Sequence, residues 1–295
     1  MTGGADGDWV SVRRDAETGV ETIRAHFKGH AYDPHDHDEL LVGVTEQGVQ
    51  EFRCRRRLHT STPGRVILIE PGEVHDGHSP RDAGFTYAML YLPTRLLSAT
   101  MDGLRELGGA PPVGLGLGLG FRDTLTDDPE LARAIQAAFL ALHGGEGRLA
   151  RDLALDRLAM RLAGHVTADG STRVSRPGAA VARARDALHA RMAEDIGLAE
   201  LASLAEIDRF RLNRLFREAF GQSPHAYLVR LRLKAARRLL AAGETPASAA
   251  AEVGFADQSH LGRWFRRAYG MTPAAYRRVC TNVPDQGRPF RHTRR

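Results

Sequence analysis

The chain has 295 residues, 42% of them hydrophobic and 26% charged, and its mean hydropathy is −0.33. No run approaches the roughly 18 apolar residues of a membrane-spanning helix, which argues against an integral membrane protein and for a soluble chain of about two domains. The opening residues, MTGGADGDWV, lack the basic and apolar regions of a secretory signal, and Cys54 and Cys280 show no metal-type or redox-type spacing. We therefore expect a cytoplasmic protein with reduced thiols.

The first part of the chain, up to about residue 93, has the pattern of a β-rich domain. Short apolar runs occur at 40–44 (LLVGV), 65–70 (RVILIE) and 85–92 (FTYAMLYL), with turn signals such as TPG and EPGE between them. Short strands separated by turns at this spacing are typical of an all-β barrel or sandwich.

The next part, from about residue 94, changes to a helical period. The segment 129–145 places apolar residues on one helix face, and the segment 148–166 aligns Leu155, Leu158 and Leu162. This leucine stripe either completes the core of the first domain or pairs with a second subunit across a two-fold axis. Of the two, we favour pairing.

The stretch ADGSTRVSRPG, residues 168–178, has the composition of a linker. The charge changes sign across it: from residue 176 onward the chain has 22 Lys and Arg against 11 Asp and Glu, and before it 19 against 25. Such an asymmetry suggests a polyanionic partner, because clustered arginines release counterions from a nucleic-acid backbone. We therefore expect a domain boundary in the linker and a nucleic-acid-binding region after it.

The basic part of the chain contains a repeat with a spacing of 49 residues. The stretch DRFRLNRLFREAFGQSPHAYLV (208–229) returns as DQSHLGRWFRRAYGMTPAAYRR (257–278), with Asp, Leu, Arg, Phe, Gly, Pro and Tyr at matching positions. Each copy follows a short helix and a turn, and opens with an Asp that can cap a second helix. This is the plan of a helix-turn-helix, whose second helix can enter a DNA major groove about 12 Å wide. The helix predicted between the copies, residues 224–242, is a rigid spacer roughly 28 Å long.

Helical spacing divides the second helix of each copy into a core face and an outer face. Leu212 and Phe216 belong to the core face in the first copy, and Leu261 and Phe265 do so in the second. The outer faces carry Arg209, Arg211, Asn213, Arg214 and Arg217 in the first copy and Gln258, Ser259, His260, Arg263, Arg266 and Arg267 in the second. Side chains of these types bind base edges and phosphates, so we predict that both outer faces bind DNA.

The residues from about 187 to 278, and above all GFADQSHLGRWFRRAYGMTPAAYRR, resemble the DNA-binding domain of the AraC/XylS-type transcriptional regulators. The resemblance implies two helix-turn-helix units held by one connecting helix. It also implies base-reading positions at Phe210, Asn213 and Arg214 in the first unit and at Gln258, Ser259 and Arg263 in the second. Phe210 departs from a polar reader, so contact with a thymine methyl group or a sugar is the alternative at that position.

A group of histidines marks the β-rich part of the chain. His35 and His37 lie in GHAYDPHDHDELLVGV, and His75 lies in PGEVHDGH. These stretches resemble the two sequence motifs of cupin barrels, and AraC-type regulators often carry such a barrel as their sensor. The resemblance implies a cupin-like, effector-sensing domain.

The sequence leaves three roles open for these histidines. Metal cupins have a Glu four or five residues after the second histidine, whereas this chain has Leu41 and Val42 there. A neutral imidazole offers one donor and one acceptor, which suits hydroxyl, carbonyl or carboxylate groups of a small molecule. We therefore predict that His35, His37 and His75 bind an organic effector, with a metal site or a purely structural role as alternatives. We expect no metal, no cofactor and no enzymatic activity, because a catalytic cupin needs the complete ligand set.

The predicted architecture is α+β and multi-domain. Residues 1–93 form a cupin-like β-barrel, 94–175 a helical connector that serves in dimerisation, 176–280 an all-α domain with two helix-turn-helix units, and 281–295 a basic tail. The expected function is sequence-specific transcriptional regulation by a one-component protein. The expected partners are double-stranded DNA, a small-molecule effector, a second copy of the chain and RNA polymerase, with no membrane. A constitutive architectural DNA-binding protein is the alternative.

Overall fold

The computed structural model describes residues 2–3, 7–81, 83–96, 120–167 and 178–281. The linker predicted at 168–178 lies outside these residues apart from Gly178, and the basic tail lies outside them apart from Thr281. The strands are β1 (Thr2–Gly3), β2 (Trp9–Arg14), β3 (Glu21–Phe27), β4 (His30–His35), β5 (Leu40–Gly48), β6 (Gln50–Cys54), β7 (Arg57–Ser61), β8 (Val66–Ile69), β9 (His75–His78), β10 (Phe85–Leu92), β11 (Gly120–Phe121), β12 (Leu125–Thr126) and β13 (Val166–Thr167).

The long helices begin at residue 129, and β13 lies between the second and the third of them. They are α1 (Pro129–Gly144), α2 (Arg148–Ala163), α3 (Ala179–Ala190), α4 (Leu198–Leu204), α5 (Arg209–Phe220), α6 (Pro224–Ala241), α7 (Pro246–Val253), α8 (Gln258–Tyr269) and α9 (Pro273–Thr281). Within the described residues, no helix combines the length and the apolar content needed to cross a bilayer. We call the described residues up to 167 the N-terminal region and the described residues from 178 onward the C-terminal region.

The larger sheet of the N-terminal region has seven strands in the order β1-β2-β3-β10-β5-β8-β12. Neighbouring strands in it pair antiparallel. All eight residues of β10 and all four of β8 are buried, because the sheet is covered on both faces. Strands covered on both faces have continuous apolar sequences instead of alternating ones. The apolar runs of the sequence therefore predict β5, β8 and β10 correctly.

A second sheet has four strands in the order β4-β9-β6-β7, and its side chains share one core with the larger sheet. Strands β11 and β13 form a separate two-stranded sheet. Within the described residues, no strand of one sheet pairs with a strand of the other, so the predicted barrel is corrected to a sandwich of two sheets. The chain changes sheets at tight turns. Gly48, the last residue of β5, has a φ of 72°, and a Cβ there would lie 2.0 Å from the carbonyl oxygen of Gly84. Only glycine fits this turn.

The other face of the larger sheet is covered by α1 and α2. Asp128 caps the start of α1, and Gly145 ends it in the left-handed conformation. Leu155, Leu158 and Leu162 of α2 are buried in the core that these two helices form with the sheet. The predicted pairing of two subunits through this leucine stripe is therefore wrong, because the stripe completes the core of its own chain.

The described part of the C-terminal region consists of helices and turns. Helices α4 and α5 form the first helix-turn-helix, α7 and α8 form the second, and α6 connects them. Helix α6 has 18 residues, which corresponds to about 27 Å. The side chains of Asp208 and Asp257 accept hydrogen bonds from backbone N–H groups at the starts of α5 and α8, which confirms both predicted caps. In the second turn, Gly254 has a φ of 87° and lies against the backbone of Ala193.

Candidate functional site

The two predicted recognition helices, α5 and α8, present one face to the core and one to solvent. Leu212, Phe216, Leu261 and Phe265 are fully buried, as the spacing predicts. The exposed residues include Arg209, Phe210, Arg211, Arg214 and Arg217 on α5 and Gln258, Ser259, Arg263, Arg266 and Arg267 on α8. Faces of this composition have the chemistry to bind bases and phosphates.

Two of the predicted DNA-binding residues, Asn213 and His260, are half-buried instead of exposed. Nε2 of His260 accepts a hydrogen bond of 3.0 Å from the indole N–H of Trp264. Oδ1 of Asn213 is buried and has no hydrogen-bond partner among the described residues. The bond to Trp264 holds the His260 ring against its own helix. The ring therefore packs on the predicted recognition helix instead of extending away from it.

Arg267 is exposed, but its guanidinium group already has partners. Its Nε lies 2.6 Å from Oδ2 of Asp33 in the N-terminal region, and its guanidinium lies 5.3 Å from the centre of the Trp264 ring. The ion pair joins the second recognition helix to β4. To bind a DNA phosphate, Arg267 must exchange the Asp33 carboxylate for the phosphate.

The three predicted histidines meet inside the sandwich. His35, at the end of β4, pairs in register with His75, the first residue of β9, and His37 follows two residues later. Each histidine has one ring nitrogen that lies within 4.8 Å of a ring nitrogen of both other histidines, and all three residues are buried. The ring of Tyr32 packs edge-on against His35. Gly77 leaves space for that ring, since a Cβ at this position would lie 2.4 Å from Cζ of Tyr32.

Hydrogen bonds orient two of the three imidazole rings. Nδ1 of His35 donates to the carbonyl oxygen of Asp33 at 2.7 Å, and Nδ1 of His75 donates to that of Glu73 at 3.1 Å. Both ring nitrogens of His37 are buried and have no hydrogen-bond partner among the described residues. Burial lowers the pKa of all three rings. At neutral pH each imidazole is therefore uncharged and has a free lone pair.

The three histidines line a cavity of about 40 Å³. Part of its wall comes from the C-terminal region, which contributes Arg237 of α6, Tyr269 of α8 and Tyr276 of α9. The Tyr269 ring centre lies 5.4 Å from that of His35 and 5.7 Å from that of His37. A cavity of this size holds one or a few water molecules, whereas drug-sized ligands occupy roughly 300–1,000 Å³.

Ion pairs join the N-terminal and C-terminal regions beside this cavity, and we call this contact the seam. Arg237 is buried and donates to Oε2 of Glu21 at 2.7 Å and to Oε2 of Glu39 at 2.9 Å. The hydroxyl of Tyr276 donates to Oε1 of Glu21 at 2.7 Å. Other ion pairs across the seam include Arg230–Asp36, Lys234–Asp36, Lys234–Asp38, Arg267–Asp33 and the more exposed Arg238–Asp38. Because a buried charge without a partner is strongly destabilising, these pairs favour the closed arrangement of the two regions.

An open cleft of about 1200 Å³ lies next to the cavity, also between the two regions. His75 lines both the cavity and the cleft. Arginines from both sides contribute to its walls, among them Arg55 and Arg230. The cleft, unlike the cavity, has the volume that a small organic ligand needs.

Comparison with known proteins gives two family matches, one for each region. The model of the AraC-like ligand binding domain matches residues 17–163, and a helix-turn-helix domain model matches residues 201–279. YbfI of Bacillus subtilis (strain 168), an uncharacterized HTH-type transcriptional regulator, is 24% identical over 250 residues, which cover 84% of this chain and 87% of YbfI.

Two crystal structures of ToxT from Vibrio cholerae have a similar fold. One is the apo form of a variant, with a TM-score of 0.53 and 12% identity, covering 91% of this chain and 100% of ToxT. The other is the wild type with an unsaturated fatty acid bound, with a TM-score of 0.52 and 13% identity, covering 97% and 100%. The chain thus belongs to the AraC type of DNA-binding transcriptional regulators and has a ligand-binding domain before its helix-turn-helix region.

The C-terminal wall of the cavity is the part of the site that sequence reasoning misses. Arg237 is one of several basic residues on the predicted spacer helix, and Tyr276 is one matching position of the repeat. Nothing in a local pattern distinguishes a residue that contacts a distant region of the chain. The one available signal is the charge asymmetry, because an acidic half and a basic half can attract each other as well as other molecules.

Proposed function

We propose that this chain is a one-component regulator that binds specific sites on double-stranded DNA and changes that binding when a small organic effector is bound. The observation that supports this most is the cavity with walls from both regions, with His35 and His37 on one side and Arg237 and Tyr269 on the other. Tyr269 is the last residue of the second recognition helix. A ligand that displaces its ring therefore moves a helix that contacts DNA.

The effector of this proposal is a small molecule with an anionic or hydroxyl-bearing end. Neutral imidazoles and tyrosine hydroxyls can donate or accept hydrogen bonds, and Arg237 supplies a positive charge. Because the closed cavity is too small, the effector enters from the cleft that His75 lines and separates α6 and α8 from the sandwich. The fatty acid in one of the similar structures is a ligand of this chemical kind.

In this proposal α5 and α8 enter successive major grooves on one face of the DNA. Helix α6, about 27 Å long, sets their separation close to one turn of DNA, roughly 34 Å. The proposed base-reading residues are Phe210, Asn213 and Arg214 on α5 and Gln258, Ser259 and Arg263 on α8. Arg209, Arg217, Arg266 and Arg267 bind phosphates, and His260 supports the helix through Trp264.

The proposed assembly is a cytoplasmic homodimer that contacts RNA polymerase at promoters. In place of the buried leucine stripe, exposed apolar residues on α1 and α2 support a pairing surface: Leu140, Leu149, Leu153 and Met160 are 68%, 83%, 51% and 50% exposed. The division into a sensor at 1–93, a connector at 94–175 and a DNA-binding domain at 176–280 stays a prediction. The ligand-binding model, at 17–163, includes both α1 and α2.

A two-stage binding experiment tests this proposal. Saturated and unsaturated fatty acids and aromatic carboxylates are first screened for those that raise the melting temperature of the full chain. A compound that binds should then change the affinity for a selected DNA site by about 5-fold or more, the usual range of allosteric coupling. Substitution Arg237→Met should reduce this change. A compound that binds in the cavity and leaves DNA affinity unchanged would contradict the proposal.

A further inference from the structure

We infer that His35, His37 and His75 form a binding site for one divalent transition-metal ion. All three are buried, and one ring nitrogen from each lies within 4.8 Å of the others. Imidazole nitrogen is a preferred ligand of zinc, copper, iron and nickel ions. The site goes beyond the proposed function, because it can be measured on the chain without DNA and without an organic effector.

The orientation of the His35 and His75 rings favours metal binding. His35 and His75 each donate their Nδ1 proton to a backbone carbonyl oxygen two residues earlier, that of Asp33 and that of Glu73. The proton on Nδ1 leaves Nε2 of both rings as a lone pair. Metal-bound histidines almost always donate the other ring N–H to a carbonyl or carboxylate in this way, which fixes the tautomer and the ring direction.

The His37 ring also favours a bound ion. Neither nitrogen of His37 has a hydrogen-bond partner among the described residues, although both are buried. A buried polar group without a partner is unfavourable, and native proteins rarely keep one without a reason. An ion bound by His37 satisfies one of these nitrogens. Turning this ring towards the other two breaks no hydrogen bond among the described residues.

The dimensions fit an ion after a small adjustment. With metal–nitrogen bonds of about 2.0–2.1 Å, tetrahedral geometry places nitrogen ligands roughly 3.4 Å apart. The present separations are at most 4.8 Å, so the rings must approach one another by an ångström or so. The adjoining cavity of about 40 Å³ has space for a water molecule in the remaining position.

The cationic side chains around the histidines are already paired, so an anionic ligand can bind the ion itself. Arg230, Lys234 and Arg237 lie nearby, but each is paired with a carboxylate of the N-terminal region. Imidazole binds an ion as a neutral ligand, so a bound divalent ion keeps its charge. An oxygen donor such as water, hydroxide or a carboxylate completes such a site.

Metal titration of the full chain tests the site. Protein stripped with chelator is titrated with Co²⁺, followed by visible absorption, and with Zn²⁺, followed by calorimetry. We expect one equivalent to bind, with Co²⁺ giving the intense visible bands of a four-coordinate site. The variants His37→Gln and His75→Gln should each weaken Zn²⁺ binding by about 100-fold or more, since losing even a residue that orients a ligand costs about 10- to 100-fold.

The matched control is His78→Gln, which changes a histidine on the same strand as His75 that is paired with Glu51 at the surface. Its Zn²⁺ affinity should equal that of the unmodified chain. Circular dichroism and the melting temperature of each metal-free variant establish that it is folded, and Zn²⁺ should raise the melting temperature of the control but not of His37→Gln. Binding of less than a fifth of an equivalent, or equal affinity in all three variants, would overturn the inference.

Discussion

The N-terminal and C-terminal regions hold the side chains of their proposed sites in opposite environments. In the C-terminal region they lie on the exposed faces of α5 and α8, as Arg214 and Arg263 do. In the N-terminal region they lie in a closed interior, where His35 and His37 are 4% and 3% exposed. Substitutions on the exposed faces should therefore change DNA binding and leave stability almost unchanged, whereas substitutions in the interior should change both stability and response.

The largest effect is expected at the seam, where the two environments meet. Substitution Arg237→Met removes the buried cation that pairs with both Glu21 and Glu39, and breaking a buried pair costs about 3–5 kcal/mol. We expect the free energy of unfolding of the full chain, measured with urea, to fall by that amount.

The neighbouring residue provides the control for this prediction. Arg238 is on the same helix, its side chain is 70% exposed, and it lies 3.9 Å from Asp38. Exposed pairs contribute about 0–1 kcal/mol, so Arg238→Met should have little effect. If the two variants lose equal stability, the seam does not hold the regions together as described.

A smaller effect is expected on the exposed faces. Substitution Arg263→Ala should weaken binding to the preferred DNA site by about 1–3 kcal/mol and relax the preference at one base position. Substitution Arg267→Ala should weaken binding to all sequences alike and reduce the salt dependence, because a phosphate contact carries no sequence information. Binding measured on the preferred site and on single-base variants at several salt concentrations separates the two. A uniform loss in both variants would contradict the assignment of roles on α8.

The interior should also respond to acid. Burial lowers the pKa of His143, which hydrogen-bonds Ser11 and Thr22, to about 4. Between pH 6.5 and 4 the unfolded chain therefore binds more protons at this residue than the folded chain, and stability falls as the pH falls through this window. With a discount for partial exposure, we expect about 1 kcal/mol. In denaturation curves at each pH, His143→Gln should lessen the fall in stability. An unchanged pH profile in this variant would contradict the assignment of the fall to His143.

The smallest effect is expected where the exposed face and the N-terminal region share an ion pair. Substitution Asp33→Asn removes the partner of Arg267, whose side chain is 62% exposed. DNA affinity of the full chain should rise by about 0.2–1 kcal/mol, the usual contribution of such a pair. The same measurement with Arg267→Ala in the background should show no rise, and a rise there would assign the effect to the general loss of a negative charge.

The difference between the regions also explains what could be predicted from the sequence. Helical spacing and capping residues are local, so the faces of α5 and α8 and the caps Asp208 and Asp257 follow from short stretches of chain. The strands β5, β8 and β10 follow from apolar runs for the same reason. Closure of the sheets depends on how distant strands pair, and the sequence alone does not distinguish a barrel from a sandwich.

The seam could not be predicted because it joins parts of the chain about 200 residues apart, such as Glu39 and Arg237. The sequence shows the two charges but not that they meet. The predicted pairing through the leucine stripe of α2 is wrong for a related reason. An apolar helix face indicates that other residues cover it, but not whether they belong to the same chain or to another. The charge asymmetry, interpreted as a sign of DNA, partly reflects attraction within the molecule.

Selection of DNA sites by the full chain from a random-sequence pool, followed by sequencing, tests whether both helix-turn-helix units read DNA. We expect an enriched site with two blocks whose centres lie about 10 base pairs apart, one for each recognition helix. With Arg263→Ala, preference should weaken in one block and persist in the other. Enrichment of a single block, or no enrichment over the starting pool, would contradict a regulator that reads DNA with both helix-turn-helix units.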